Sequence, residues 1–524
     1  MEPLGGHKVT KPLRNAVVRI LVIGVVIALL RFMYVISTTA SFQDGAGFSC
    51  DSGDFCFLSA SRKLNLDQPS HSSATAEQFA VDAAVRKLWT SKEWRQGIHA
   101  YSAFFQNLTR EGLLSAASKT LVIAAGDGEE AAAQQVLALK EIGVVDSIGV
   151  GKKPSRPLVL SGDPFRRLPF EEGTFGLVFA GQGGIDSRPK DAAVFAREIG
   201  RTLRPGGIAV IHALAVKDTY SLNSLLGLFD CCRALRSSQS GSFTEFILKK
   251  HILLDGRSGA GNVAPGDVNS NNNSSICSVP AWKKEFVQKA EPLIMEEPLK
   301  PWLTLKRNIK NIRYLSSMVG IAYKRRYIYV DVGARSYGSS IGGWFRKQYP
   351  VQNRTFEVFA IEADHAFHEE YGKKKGVQLL PYAAWLRNET LLFEVDGGGA
   401  ANGEKGRGMG RIKPVGEQTG KEGESKEVMK VQGFDFAEWL MGTVSEVDFV
   451  VMKMDVEGAE FDLIPRLIET GAICLIDEIF LECHYNRWQR SSPERTKKYQ
   501  KTYSECLHIF TSLRDNGVLV HQWW

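Results

Sequence analysis

Short apolar runs alternate with amphipathic stretches twice along this chain. In the first series the runs fall at 120–124, 147–150, 177–179 and 208–213, with helix-like segments at 131–141 and 191–203. In the second series they fall at 327–332, 356–361, 449–454 and 476–482. Parallel strands buried on both faces read as continuous apolar runs, and the helices between them cover the sheet. Each series therefore predicts an open, mostly parallel α/β sheet, and the expected architecture is two tandem Rossmann-like domains. Ligands of such sheets sit beyond the carboxyl ends of the strands, so the residues just after each run matter most.

Three stretches break this pattern. Residues 257–278 are polar and rich in Gly, Asn and Ser, which predicts a linker between domains spanning 78–250 and 281–524. Residues 396–428 are rich in Gly, Lys and Glu without periodicity, which predicts a structureless insertion, with a substrate-covering loop as the functional alternative. Residues 16–37 are apolar over about the 20 residues needed to cross a bilayer, and they follow a tail, 1–15, that carries Lys8, Lys11 and Arg14. That asymmetry predicts a single-pass signal anchor with a cytosolic N-terminus, a stem over 38–77 and a body in the lumen of the endoplasmic reticulum or Golgi. A signal peptide cleaved near Ala40 is the rival reading.

Lys and Arg number 65 against 58 Asp and Glu, and no long basic run with interleaved aromatics appears, so nucleic acid is not an expected partner. The expected partners are the membrane, a glycan or small-molecule acceptor, and a protein bound through the first domain. N-x-S/T sequons at Asn107, Asn272, Asn273, Asn353 and Asn388 fit a lumenal body. Cys50 and Cys56 read either as a disulfide or as free thiols. No Cys/His set has zinc spacing, and no metal ligand is assigned.

In the first half, TLVIAAGDGEE at 120–130 and REIGRTLRPGGIAVIH at 197–212 resemble class I S-adenosylmethionine-dependent methyltransferases. The resemblance implies acids at three cofactor-holding positions, which here are Ala124, Gly151 and Gly176. Glu130 replaces a loop glycine, and Asp127 and Asp163 are the polar contacts left. A structural or partner-binding role is expected of this half.

The second half carries the candidate chemistry. Asp331-Val332-Gly333-Ala334 follows a strand, and glycine there and at Gly338 admits close backbone approach to a ligand. No Gly-x-Gly-x-x-Gly fingerprint accompanies it, which argues against a nicotinamide enzyme. Glu362, at the next strand end, is placed to accept ribose hydroxyl hydrogens, and Asp364 either joins it or caps the helix that follows. Together with Lys453-Met454-Asp455-Val456-Glu457-Gly458-Ala459-Glu460 and Glu482-Cys483-His484, these motifs resemble the FkbM-like methyltransferases, typically O-methyltransferases. The resemblance implies S-adenosylmethionine as cofactor, held by Asp331, Gly333, Ala334, Gly338, Glu362 and Asp364. One extra residue separates Ala334 from Gly338. Asp455 and His484 are the candidates to orient or deprotonate an acceptor hydroxyl, with Lys453 sharing a strand face with Asp455. For His484 the alternative is donation to a neighbouring carboxylate. A Golgi glycosyltransferase using Asp455-Val456-Glu457 as a metal motif and a non-catalytic pair of methyltransferase folds are the competing functions.

Overall fold

The computed structural model describes residues 92–125, 129–251, 279, 281–298, 309–351, 353–395, 409–413, 427–486 and 499–523, all within one compact unit, Ala76–Trp524. The anchor at 16–37, Cys50, Cys56, Asp127, Asn272, Asn273 and the segment 257–278 lie outside the described residues. No described helix is long and apolar enough to cross a membrane.

The first half forms a seven-stranded sheet from β1 (Thr120–Ile123), β2 (Ser147–Gly151), β3 (Val159–Ser161), β4 (Phe175–Ala180), β5 (Leu203–Ala213), β6 (Cys232–Ser240) and β7 (Phe243–Lys250). Its order is β3-β2-β1-β4-β5-β7-β6, parallel up to β5, with β7 antiparallel to both β5 and β6. The reversal at β5 starts earlier than the sequence implies: the strand begins at Leu203, and Gly206 takes φ of 73° inside it.

The second half forms a six-stranded sheet from β8 (Tyr327–Val332), β9 (Phe356–Ile361), β10 (Gln378–Leu380), β15 (Phe449–Met454), β16 (Glu478–Leu481) and β17 (Leu519–Gln522). Its order, β10-β9-β8-β15-β16-β17, is parallel throughout. Between β10 and β15 the chain builds a four-stranded annex from β11 (Ala383–Trp385), β12 (Glu389–Val395), β13 (Gly410–Ile412) and β14 (Glu427–Asp435), ordered β11-β14-β12-β13. β13 corrects one expectation. It falls inside the stretch read as structureless, yet it pairs with β12, where backbone hydrogen bonds on a sheet edge make up for its lack of apolar periodicity.

The loop after β8 leads into a wide turn. Gly342 N bonds Tyr337 O and Phe345 N bonds Ser340 O, giving a wide turn over Ile341–Phe345 in place of an α-helical one. A Cβ at Gly343 would lie 2.2 Å from Gly338 O, so the turn requires glycine there.

Buried polar groups tie the second sheet together. Glu478, with its side chain fully buried, accepts from Leu315 N at 2.8 Å and from His521 Nε2 at 2.9 Å, while His521 Nδ1 donates to Glu291 at 2.5 Å. Burial works against the imidazolium, but Glu291 and Glu478 push the His521 pKa up to about 9.

The two halves exchange side chains. Tyr323, just before β8, lies in the core of the first half, where its hydroxyl donates to Asp186 at 2.5 Å and accepts from Ala215 N at 3.2 Å. Tyr220 of the first half lies in a core of the second and donates to Asp477 at 3.0 Å.

Candidate active site

At the carboxyl edge of the second sheet, β8 and β9 run to one side and β15 and β16 to the other, which makes the gap between β8 and β15 the topological switch point. A cleft lies there, with about 700 Å³ of space when the part open to solvent is included. Gly333, Arg335, Glu362, Asp364, Asp455 and Glu457 line its floor. The annex supplies the opposite wall through Tyr382, Phe393, Met409 and Ile412.

Gly333 sits at φ of 78°, and a Cβ there would lie 1.9 Å from the carbonyl oxygen of Asp455. The loops after β8 and β15 therefore touch backbone to backbone, which only glycine permits. Glu362, 7% exposed, accepts from Arg335 N at 2.6 Å and Asp364 N at 2.7 Å. Burial outweighs these bonds and pushes its pKa up to about 7. Asp364 lines the cleft and also accepts from Ala366 N at 3.1 Å, so it caps the helical turn as the sequence allows.

Asp331 lies elsewhere than the sequence suggests. It is fully buried beneath the loop, accepts from Ser340 and Tyr329, and is not among the residues lining the cleft. Its Oδ1 has no hydrogen-bond partner and stands 3.9 Å from Lys453 Nζ. Burial pushes its pKa up against the pull of Lys453. Ala334 is buried behind the same loop, and Gly338 has open space where a Cβ would be.

Lys453 pairs with Asp455 at 3.6 Å, as their shared strand face predicts. Burial opposes its charge, but Asp331 and Asp455 keep its pKa raised. His484 adopts the alternative reading: its Nδ1 lies 3.2 Å from Glu460 Oε1, and its backbone N donates to the same oxygen at 2.6 Å. Burial works against its charge, but Glu460, Glu457 and Asp455 push its pKa up to about 10. An imidazole already carrying its second proton cannot take one from a hydroxyl. The carboxylates beside it can, and among them burial, then Asp455, push Glu482 up to about 7.

Three residues given no part in methyl transfer on sequence grounds belong to this site. Arg335, held at φ of 50°, places its guanidinium 5.7 Å from the Phe367 ring centre. Glu457 accepts from Tyr499, and with Asp455 and His484 it offers three ligand atoms within 4.8 Å of one another. Glu482 completes the group, 3.9 Å from His484 Nε2. The signal was present in Asp455-x-Glu457 and Glu482-x-His484, two motifs that end adjacent parallel strands.

Among the described residues, protein side chains occupy part of the equivalent edge of the first sheet. A Cβ on Gly151 would lie 3.0 Å from that of Ala124; Gly176, packed against the Arg204 guanidinium, lies at the opposite, amino end of β4. Asp163 is spent internally, accepting from Phe165 N at 3.1 Å and pairing with Arg188 at 3.1 Å; burial opposes this, yet the two bonds hold its pKa down. Tyr323 and Asp186 close the space beyond β4 and β5.

A family model described as a domain of unknown function, DUF7870, matches residues 287–391 and 415–524, the stretch that carries the second sheet and its cleft. The FkbM-like likeness rests on the motifs alone. No curated protein matches the chain. Among solved structures the chain is similar to an S-adenosylmethionine-dependent methyltransferase from Aquifex aeolicus, with 12% identity, 28% of this chain and 88% of that one covered, and a TM-score of 0.22. It is similar to a putative sarcosine dimethylglycine methyltransferase from Galdieria sulphuraria, with 13% identity, 33% and 98% covered, and a TM-score of 0.23. A third is the Burkholderia thailandensis 1,6-didemethyltoxoflavin-N1-methyltransferase with bound S-adenosylhomocysteine, with 15% identity, 36% and 98% covered, and a TM-score of 0.23. Likenesses of this size leave the functional argument to the residues of the cleft.

Proposed function

We propose that the second half is an S-adenosylmethionine-dependent O-methyltransferase acting on a glycan or other hydroxyl-bearing acceptor in the secretory pathway. The observation that carries the reading is the switch-point cleft with Gly333 on its floor and Glu362 facing into it. Both fit a nucleoside: glycine lets backbone approach, and a carboxylate accepts from paired ribose hydroxyls.

S-adenosylmethionine supplies a methyl group on a sulfonium whose thioether leaving group is already activated. What remains for the protein is alignment, exclusion of water and acceptance of the hydroxyl proton. The annex wall excludes water. Asp455, held by Lys453, orients the acceptor, and Asp455 or Glu482 receives the proton, while His484 fixes the carboxylates around it. Asp331 acts through the loop, holding Ser340 and sharing Lys453 with Asp455.

A lumenal body behind a type II anchor belongs to the same reading. Supporting it, Cys483 and Cys506 form a disulfide, a bond that persists in oxidising compartments, and Cys474 is disulfide-bonded as well. The described sequon residues Asn107, Asn353 and Asn388 are all exposed. We assign the first half a supporting role: the protein partner it holds through Tyr323 is the second half of its own chain.

The test is calorimetric titration of the full chain with S-adenosylmethionine and with nucleotide sugars plus manganese, using Glu362→Ala and Asp455→Ala as controls. Cofactor binding lost in Glu362→Ala is expected. Preference for a nucleotide sugar would establish the glycosyltransferase reading instead, and binding of neither would establish a scaffold.

A further inference from the structure

The carboxylates around His484 are arranged in a way that methyl transfer by itself does not require. Asp455 Oδ1 is buried and accepts no hydrogen bond. It faces His484 Nε2 at 3.6 Å, and Glu457 Oε1 and Glu482 Oε1 each face the same nitrogen at 3.9 Å. All three separations are too long for hydrogen bonds. The His484 side chain is only 9% exposed, so this nitrogen is held inside the protein against three oxygens that it does not bond.

The other edge of the ring is fixed. Glu460, fully buried, lies against Nδ1 at 3.2 Å, and its second oxygen accepts from Gly458 N at 2.9 Å. A carboxylate on one imidazole nitrogen fixes the ring, the usual support of a metal-binding histidine, and a cation arriving at Nε2 would displace the proton held there.

We propose that Asp455, Glu457 and His484 Nε2 form a divalent-cation site on the inner wall of the cleft, with Glu482 at its rim. Bonds of about 2.1 Å place neighbouring ligand atoms roughly 3 to 4.2 Å apart around a cation. The three ligand atoms here lie within 4.8 Å of one another, so small rotations of the carboxylates close the set. Two carboxylates and one imidazole suit manganese or zinc better than calcium, which prefers an all-oxygen shell. Three protein ligands leave positions open. Because Asp455 and Glu457 also line the cleft, those positions open toward it, and an acceptor oxygen is the ligand they would take. The cation site stands on these residues alone; its use in holding the acceptor rests on the methyltransferase reading.

Manganese binding to the full chain, stripped with chelator and desalted, can be followed by loss of the free-ion electron paramagnetic resonance signal. The expected result is one tight manganese per chain, weakened at least tenfold in both Glu457→Gln and His484→Ala. Absence of uptake up to about 1 mM, the weak end for protein cation sites, overturns the proposal. So does uptake that both variants retain, which would mark scattered surface carboxylates. Should His484→Ala fail to fold by circular dichroism, the near-isosteric Glu457→Gln decides: unchanged affinity overturns the site. S-adenosylmethionine titrated in excess chelator reads the methyltransferase function separately, since Glu362 and Gly333 are not cation ligands.

Discussion

The two sheets share the central order in which the third, second, first, fourth and fifth strands lie side by side, yet their carboxyl edges differ completely. In the first, Ala124 and Gly151 pack together, and Tyr323 from the second half occupies the edge beyond β4 and β5. In the second, an acid follows β9, backbone meets backbone at Gly333, and a four-stranded annex walls off a cleft. The difference lies in a handful of residues after each strand, and the strands themselves do not carry it. A sheet can thus keep its core and lose its ligand edge, because apolar burial fixes the former and single side chains fix the latter.

The comparison is broken or sharpened most strongly at two glycines. Gly333→Ala should destabilise by about 3 kcal/mol or more, since it adds backbone overlap to an unfavourable φ, whereas Gly183→Ala should cost about 1 kcal/mol. Gly183 has a similar φ of 77°, but a Cβ there would meet nothing closer than 3.8 Å. Denaturant melts of both variants check this, and equal losses would show that the backbone contact at Gly333 adds nothing to the cost of its φ.

A smaller effect is expected on binding. Glu362→Gln should weaken S-adenosylmethionine by roughly 10- to 100-fold, the worth of a charged hydrogen bond, while Asp163→Ala in the first half should leave it unchanged. Calorimetry on each variant decides it. A loss in Asp163→Ala would show that the first edge still binds.

The pH dependence follows from the same carboxylate. With its pKa at about 7, Glu362 becomes protonated below neutrality and can no longer accept from both ribose hydroxyls. Affinity should fall up to about tenfold per pH unit below 7, which is at most about 1.4 kcal/mol per unit. Titrations between pH 5.5 and 8.5, on the order of one unit to either side of that value, would reveal a flat profile if Glu362 does not touch the ligand.

The smallest effect concerns the seam between the halves. Tyr323→Phe removes a hydroxyl that serves Asp186 and Ala215 N and should cost about 1 to 2 kcal/mol in chemical melts. Cofactor affinity should be unchanged if the tyrosine only plugs the first edge.

Much of this was legible in the sequence. β8, β9 and β15 begin and end where the apolar runs predict, because a central parallel strand is buried on both faces and has no polar alternation to blur its ends. β6 gave no such signal: as an exposed edge strand of Arg, Ser and Gln, it is held by its ladder with β7 and not by burial. β13 is three residues long, too short to show a period of its own. Glu362 and the Lys453–Asp455 pair were readable because strand ends and strand faces are local properties. The sinking of Asp331, the plug at Tyr323 and the meeting of Glu457 with His484 depend on contacts between distant segments, which no periodicity records.

The disulfide joining Cys483 to Cys506 has a practical consequence for anyone making this protein. Cys483 stands between Glu482 and His484, so the bond clamps the strand end that presents both to the helix Tyr503–Asp515. Chain produced in a reducing bacterial cytoplasm would present the cleft without that clamp, and an inactive preparation from such a host would report on the host's redox chemistry before it reported on the protein's.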